Sequence, residues 1–157
     1  LIADRSSPSE LFASGKLLGR PSAGRMSMFF YDPKFKQRLP YYDTFPLVLP
    51  LEPMKGGFIG LNFHYLPYGA RFAFLQQLQR YSSNAKFDQS TKIQASYNAI
   101  KGNKYTKASI KRYLYSHVRS QFLRVNVNEM ALAAYLPVAQ FQGATLGQVF
   151  ARSRRTF

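Results

Sequence analysis

Residues 26–67 read MSMFFYDPKFKQRLPYYDTFPLVLPLEPMKGGFIGLNFHYLP. Short apolar runs cut by Asp32-Pro33, Pro40 and Gly56-Gly57 suit strands joined by turns better than helix. Residues 45–51 and 58–65 predict a hairpin. The connection at residues 53–57, Pro-Met-Lys-Gly-Gly, holds glycines that accept the positive φ such a turn needs. Alternation along the second strand would send Ile59, Leu61, Phe63 and Tyr65 into the core and leave Phe58, Gly60, Asn62 and His64 partly wet. Gly60 suggests a bulge or a close backbone approach. Pro46 and Pro50 donate no ladder hydrogen bonds, so the first strand is either an edge or irregular. The expected architecture is α+β: a small bent antiparallel sheet or partial SH3-like barrel, packed with several short helices.

Around this centre, residues 26–31 predict a further strand stopped by Asp32-Pro33, and residues 34–38, KFKQR, a basic loop. Tyr41 and Tyr42 have the planar side chains that stack on bases, but core packing is the commoner use of adjacent tyrosines in a sheet. Residues 1–25 are rich in Ser, Gly and Arg, with room for a short helix from Ser9; they are read as an extended N-terminal arm. Residues 26–157 are then a single α+β domain with a β-rich first half and a basic, helical second half.

Helical spacing over residues 68–83 puts Phe72, Phe74, Leu75, Leu78 and Tyr81 on an apolar stripe and Arg71 outside it. A shorter helix is predicted over 91–100. A third, over 106–122, rests on a Thr106 cap and on Ile110, Leu114, Val118 and Phe122 at intervals of four. Val125 and Val127 suggest a short strand, residues 128–134 a helical turn, and residues 144–152 a last helix before a basic tail.

Charge is the most informative bulk property: 22 Lys and Arg oppose 7 Asp and Glu in 157 residues, a net +15. The first 52 residues carry seven basic and five acidic side chains, whereas the rest carry fifteen and two. Self-repulsion on that scale is relieved by a polyanion or an acidic protein surface. At 46% apolar, the chain builds a core and is not a disordered polyelectrolyte. No apolar run approaches the roughly 18 to 20 residues of a membrane span, so no membrane partner and a soluble, intracellular origin are expected.

The absence of cysteine excludes disulfides, thiolate metal sites and thiol nucleophiles. His64 and His117 are far apart in sequence with no carboxylate cluster beside either, which argues against a metal site. Asp32 and Asp43 suit turn hydrogen bonds. With no phosphate loop, nucleophile elbow or paired-carboxylate motif, no enzyme activity, cofactor or small-molecule substrate is expected. The basic residues between 86 and 124, interleaved with Tyr97, Tyr105, Tyr113 and Tyr115, instead fit phosphate contact with stacking capacity. Candidate contacts with nucleic acid or an acidic partner are Lys101, Lys104, Lys107, Lys111, Arg112, Arg119 and Arg124, with Arg152, Arg154 and Arg155 in the tail.

The runs FFYDPK (29–34), LPYYDTFPLV (39–48) and GFIGLNFHYLP (57–67), with KRYL (111–114) and SHVRS (116–120), resemble virion proteins of large contractile-tailed bacteriophages and cyanophages. The resemblance covers residues 26–155 and implies a non-enzymatic structural protein of the virion, assembled in the host cytoplasm among other phage virion proteins. Two placements follow from it. In one, the protein is a DNA-end protector whose basic surface contacts packaged DNA or its end near the head–tail junction; in the other, it is a tail, baseplate or neck adaptor docking on acidic virion proteins.

Overall fold

The computed structural model describes residues 8–15, 17–21, 25–82, 109–125, 129–135 and 138–155. At its centre is the expected hairpin, β4 (Leu47–Met54) and β5 (Gly57–Asn62), counting strands from the N-terminus. The turn is tighter than residues 53–57, because Pro53 pairs with Phe58 and Met54 with Gly57. Lys55 and Gly56 alone make the connection, and Gly56 takes φ 75°, open to a residue without Cβ. Four more strands complete an antiparallel sheet: β1 (Leu17–Leu18), β2 (Ser27–Met28), β6 (Ile110–Leu114) and β7 (Phe122–Arg124). Their order is β1-β7-β2-β4-β5-β6, and a two-stranded sheet joins β3 (Tyr42–Asp43) to β8 (Phe141–Gln142). With the short helices around it, this is the α+β class expected.

Strand β4 is internal, yet tolerates proline for the second of the two reasons foreseen. Its neighbour β2 pairs only with Leu47 and Val48, and the register against β5 shifts between Pro50 and Glu52. The strand is irregular where proline sits. Both of its faces are covered. Leu47, Leu49 and Leu51 join Leu61, Phe63, Phe74 and Leu75 in the larger core, while Val48 joins Phe29, Tyr31, Phe58, Tyr113 and Phe122 in an aromatic cluster. In that cluster the Phe29 and Phe122 rings lie 4.7 Å apart and those of Phe58 and Tyr113 5.4 Å.

The expectation that Phe58, Asn62 and His64 are partly wet is therefore corrected: all three are buried, at 3%, 0% and 0% exposure. A sheet that bends until rings from β5, β6 and β7 meet has a core on each face, so alternation no longer separates inside from outside. The bend is closed by the Tyr31–Val118 bridge and by Asp32 N–H to His117 O (3.0 Å) and Arg119 N–H to Phe30 O (2.9 Å). Gly60 is a close approach as foreseen, since a Cβ there would meet Val48 Cγ1.

The third helix is also corrected. Residues 110–122 form β6, a 3-10 turn at Tyr115–His117, and the start of β7. An interval of four is even, so Ile110, Leu114, Val118 and Phe122 fit one face of a strand as well as one face of a helix. Pairing with the free side of β5 settles the choice: Phe58 lies opposite Tyr113 and Gly57 opposite Leu114. The helix expected at 91–100 lies outside the described residues.

Helix α1 (Pro8–Ser14) falls within the segment read as an arm; its Leu11 is buried in the larger core, and Leu17 and Leu18 pair with β7. Helix α2 (Tyr68–Ser82) is rotated from its expected phase. Arg71, Phe74 and Leu75 face inward, while Phe72 is 51% exposed. The Arg71 guanidinium donates to Leu66 O (2.8 Å), Ala134 O (2.7 Å) and His64 O (3.0 Å), and that need for a donor turns the helix. Helix α3 (Met130–Tyr135) packs on α2. Helix α4 (Leu146–Arg155) is capped by Thr145, whose hydroxyl accepts from Gln148 N–H while Gln148 Oε1 accepts from Thr145 N–H. Among the described residues, no helix is long and apolar enough to cross a membrane.

Candidate nucleic-acid interface

Strand β6 lies at an edge of the large sheet and carries Lys111 and Arg112. Facing it is the segment that runs from Tyr31 through the basic loop to β3. Between them is a cleft of about 510 Å³ lined by Tyr31, Tyr41, Tyr42, Tyr65, Tyr113 and Phe35, with Lys34, Lys111 and Arg112 among the lining residues. Lys111 is half-buried with its ammonium 4.4 Å from the centre of the Tyr65 ring. Burial lowers its pKa, as it does for any cation withdrawn from water.

The loop is held in an unusual backbone conformation. Phe35 adopts φ 59°, ψ 35° at the head of the 3-10 turn Lys36–Arg38, a left-handed geometry that bulky residues rarely take. Its ring is 57% exposed, with the Lys34 ammonium 4.9 Å and the Arg38 guanidinium 5.3 Å from its centre. Lys36 pairs instead with Asp32 at 3.0 Å, and this hydrogen bond holds the Asp32 carboxyl below the usual carboxylate range.

Asp43 is the one carboxylate among the lining residues, and its oxygens are fully occupied. Oδ1 accepts from Phe45 N–H (3.0 Å) and Gln140 N–H (3.2 Å), while Oδ2 accepts from Asn62 Nδ2 (3.1 Å) and His64 Nδ1 (2.7 Å). Burial works to raise its pKa, but His64 and these hydrogen bonds outweigh it and keep the carboxyl below its ordinary value. The bond to Phe45 N–H is the turn contact expected of Asp43; the pairing with His64 was not legible, because twenty-one positions separate the two. His64 has no exposure and does not line the cleft, and its Nε2 has no hydrogen-bond partner among the described residues. The pair fastens β3 to the end of β5.

Burial raises the pKa values of Tyr31, Tyr65 and Tyr113, so these phenols stay neutral. Among the described residues, no carboxylate lies within ion-pair distance of Lys34, Arg38, Lys111 or Arg112. The cleft thus presents flat aromatic walls and uncompensated positive charge, which suits an anion carrying a planar group.

Of the residues singled out from sequence, Lys111 and Arg112 come together at the cleft, on a strand rather than on the helical face expected. Arg152 lies near it, 5.6 Å from the Tyr41 ring. Arg119 sits outside, donating to Ser116 O (2.7 Å) and 3.8 Å from Asp32, and Arg124 is half-buried on β7. Lys101, Lys104 and Lys107 lie outside the described residues, as do the side chains of Arg154 and Arg155. Lys34, Phe35, Arg38 and Tyr65 were not singled out; the available signal was an aromatic residue within the basic run KFKQR. Tyr41 and Tyr42 are both half-buried and both line the cleft, so neither is the wholly inward core residue favoured for one of an adjacent pair.

The family model for the phage T4 terminal DNA protecting protein matches residues 12–154. The chain belongs to this family. No curated protein and no solved structure matches it. A terminal DNA protecting protein is a phage protein with a protective role, and of the two placements left open by the sequence resemblance this favours the one at DNA over the tail or baseplate adaptor. Membership spans β1 to α4, so the cleft lies within the matched region.

Proposed function

We propose that this protein binds the ends of packaged phage DNA through its cationic, tyrosine-rich surface and shields them from exonucleases. It acts as a structural part of the virion near the head–tail junction, in contact with other virion proteins. The observation that carries this reading is the grouping of Lys34, Lys111 and Arg112 around a cleft whose only lining carboxylate is buried and fully bonded. Phosphates meet those cations without competition from acids, and the net charge of +15 draws DNA in. Lys101, Lys104, Lys107, Arg119, Arg124, Arg152, Arg154 and Arg155 extend the contact along the backbone, which needs positive charge and no base reading.

Binding to linear and circular duplex over a salt series, together with protection of the linear form from a processive exonuclease, tests the proposal. The expected result is protection of ends at stoichiometric protein, with affinity that falls steeply with salt. Each phosphate neutralised adds about 0.9 to the slope of log affinity against log salt, so the cleft cations Lys34, Lys111 and Arg112 alone predict a slope of about 2.7. Absence of binding at low salt would overturn the proposal and favour an adaptor whose positive face meets an acidic protein.

A further inference from the structure

We infer that the cleft between β6 and the Phe35 loop receives a single unpaired terminal nucleotide, its base stacked on the aromatic wall and its phosphate on Lys111 and Arg112. This rests on the proposed DNA-end reading and names the part of the end that is recognised. Size is the first support. At about 510 Å³ the cleft falls within the roughly 300 to 1,000 Å³ of small-ligand sites, and a duplex cannot enter it. A nucleotide lifted from the end of a strand can, because a terminal base has one stacking neighbour to lose and an unpaired one has no partner.

Chemistry is the second. Stacking on tyrosine or phenylalanine holds any base, since every base has a π face, and a protector of ends has no use for sequence preference. The neutral phenols of Tyr31, Tyr65 and Tyr113 add no negative charge against the phosphate. Lys111, half-buried over Tyr65, is fixed where base and phosphate meet.

The third support is Phe35. A large apolar ring left 57% exposed, on a residue in the left-handed region, is a costly arrangement that the two flanking cations offset only in part. Strain of this kind gathers where a ligand is clamped. Phe35 and Lys34 both line the cleft, so the loop supplies a ring and a charge to the same occupant.

The test uses linear duplexes carrying 2-aminopurine as one unpaired terminal nucleotide, with blunt duplex and covalently closed circle for comparison. The full chain is expected to quench the 2-aminopurine and to prefer the unpaired end over the circle by about tenfold or more, the equivalent of one base stacked. Phe35→Ala and Lys34→Gln, both at exposed positions, and Lys111→Gln, which removes the ammonium over Tyr65, should each reduce that ratio severalfold and restore the emission. An unchanged ratio and quench in Phe35→Ala and Lys34→Gln would overturn the inference while leaving end binding itself intact. If the wild-type chain binds none of these DNAs at low salt, both this inference and the reading on which it rests fail.

Discussion

Replacing Arg71 by methionine keeps an unbranched apolar stem in the core and removes the guanidinium. Three carbonyls, from His64, Leu66 and Ala134, then lose donors at 2.7 to 3.0 Å, and the cation over the Tyr68 ring (4.7 Å) is gone. Hydrogen bonds to a charged group contribute about 1.5 to 3 kcal/mol each, so the three represent at least about 4.5 kcal/mol. The substitution also removes the desolvation penalty of a buried cation, several kcal/mol before relaxation. Burial lowers the Arg71 pKa to about 10, so it is still charged at neutral pH and that penalty is real. Because the stranded carbonyls remain buried between α2, α3 and the turn after β5, the loss prevails, with a net destabilisation of about 3 kcal/mol. The chain has no tryptophan and 11 tyrosines, so urea unfolding is followed by tyrosine emission or near-ultraviolet circular dichroism. With a urea slope of about 2 kcal/mol per molar, the midpoint should fall by about 1.5 M. Arg71→Lys should recover only part of this, since one ammonium cannot serve three carbonyls at the corners of a planar fork. A methionine variant within about 0.5 M of wild type, or above it, would refute the clamp.

Two further outcomes follow from the same architecture. Gly57→Ala would drive a Cβ into Tyr113 O across the β5–β6 ladder; because the obstacle is backbone, the strands must separate, and a loss above about 2 kcal/mol with faster amide exchange at Tyr115, whose N–H donates to Gly56 O, is expected. Gly56→Ala, in open space but at φ 75°, should cost only about 1 kcal/mol, and equal effects of the two would sink the close-approach explanation. Asp43 titrates lower in the folded chain than its ordinary value of 3.8. Its contribution is therefore full above the unfolded value and is lost as pH falls through the folded one. Asp43→Asn should be less stable at pH 7 by about 3 kcal/mol and flatter between pH 5 and pH 2, as read from urea midpoints; an acid slope equal to that of wild type would assign it to other carboxylates.

What residues 26–67 determined by themselves were the features that depend on neighbours in the chain: the hairpin, its glycine turn and the Asp43 turn contact. The short helix at Pro8–Ser14 belongs with them, and so does the strongly basic character, which is a sum over side chains and needs no fold. Tertiary structure decided whatever depended on which face found a partner. An interval of four from Ile110 to Phe122 fits both helix and strand, and only the open side of β5 chose between them. Arg71 turned inward because three carbonyls on two separate segments lacked donors, and Phe72 was thereby left outside. Bending of the sheet gave it a second core, so Phe58, Asn62 and His64 could not be sorted by alternation. The cleft is the extreme case. Lys111 and Arg112 were legible through their charge, but Phe35, Tyr65 and Lys111 are brought together across roughly half the chain by the pairing of β5 with β6 and by the Tyr31–Val118 bridge, and no local pattern encodes that distance.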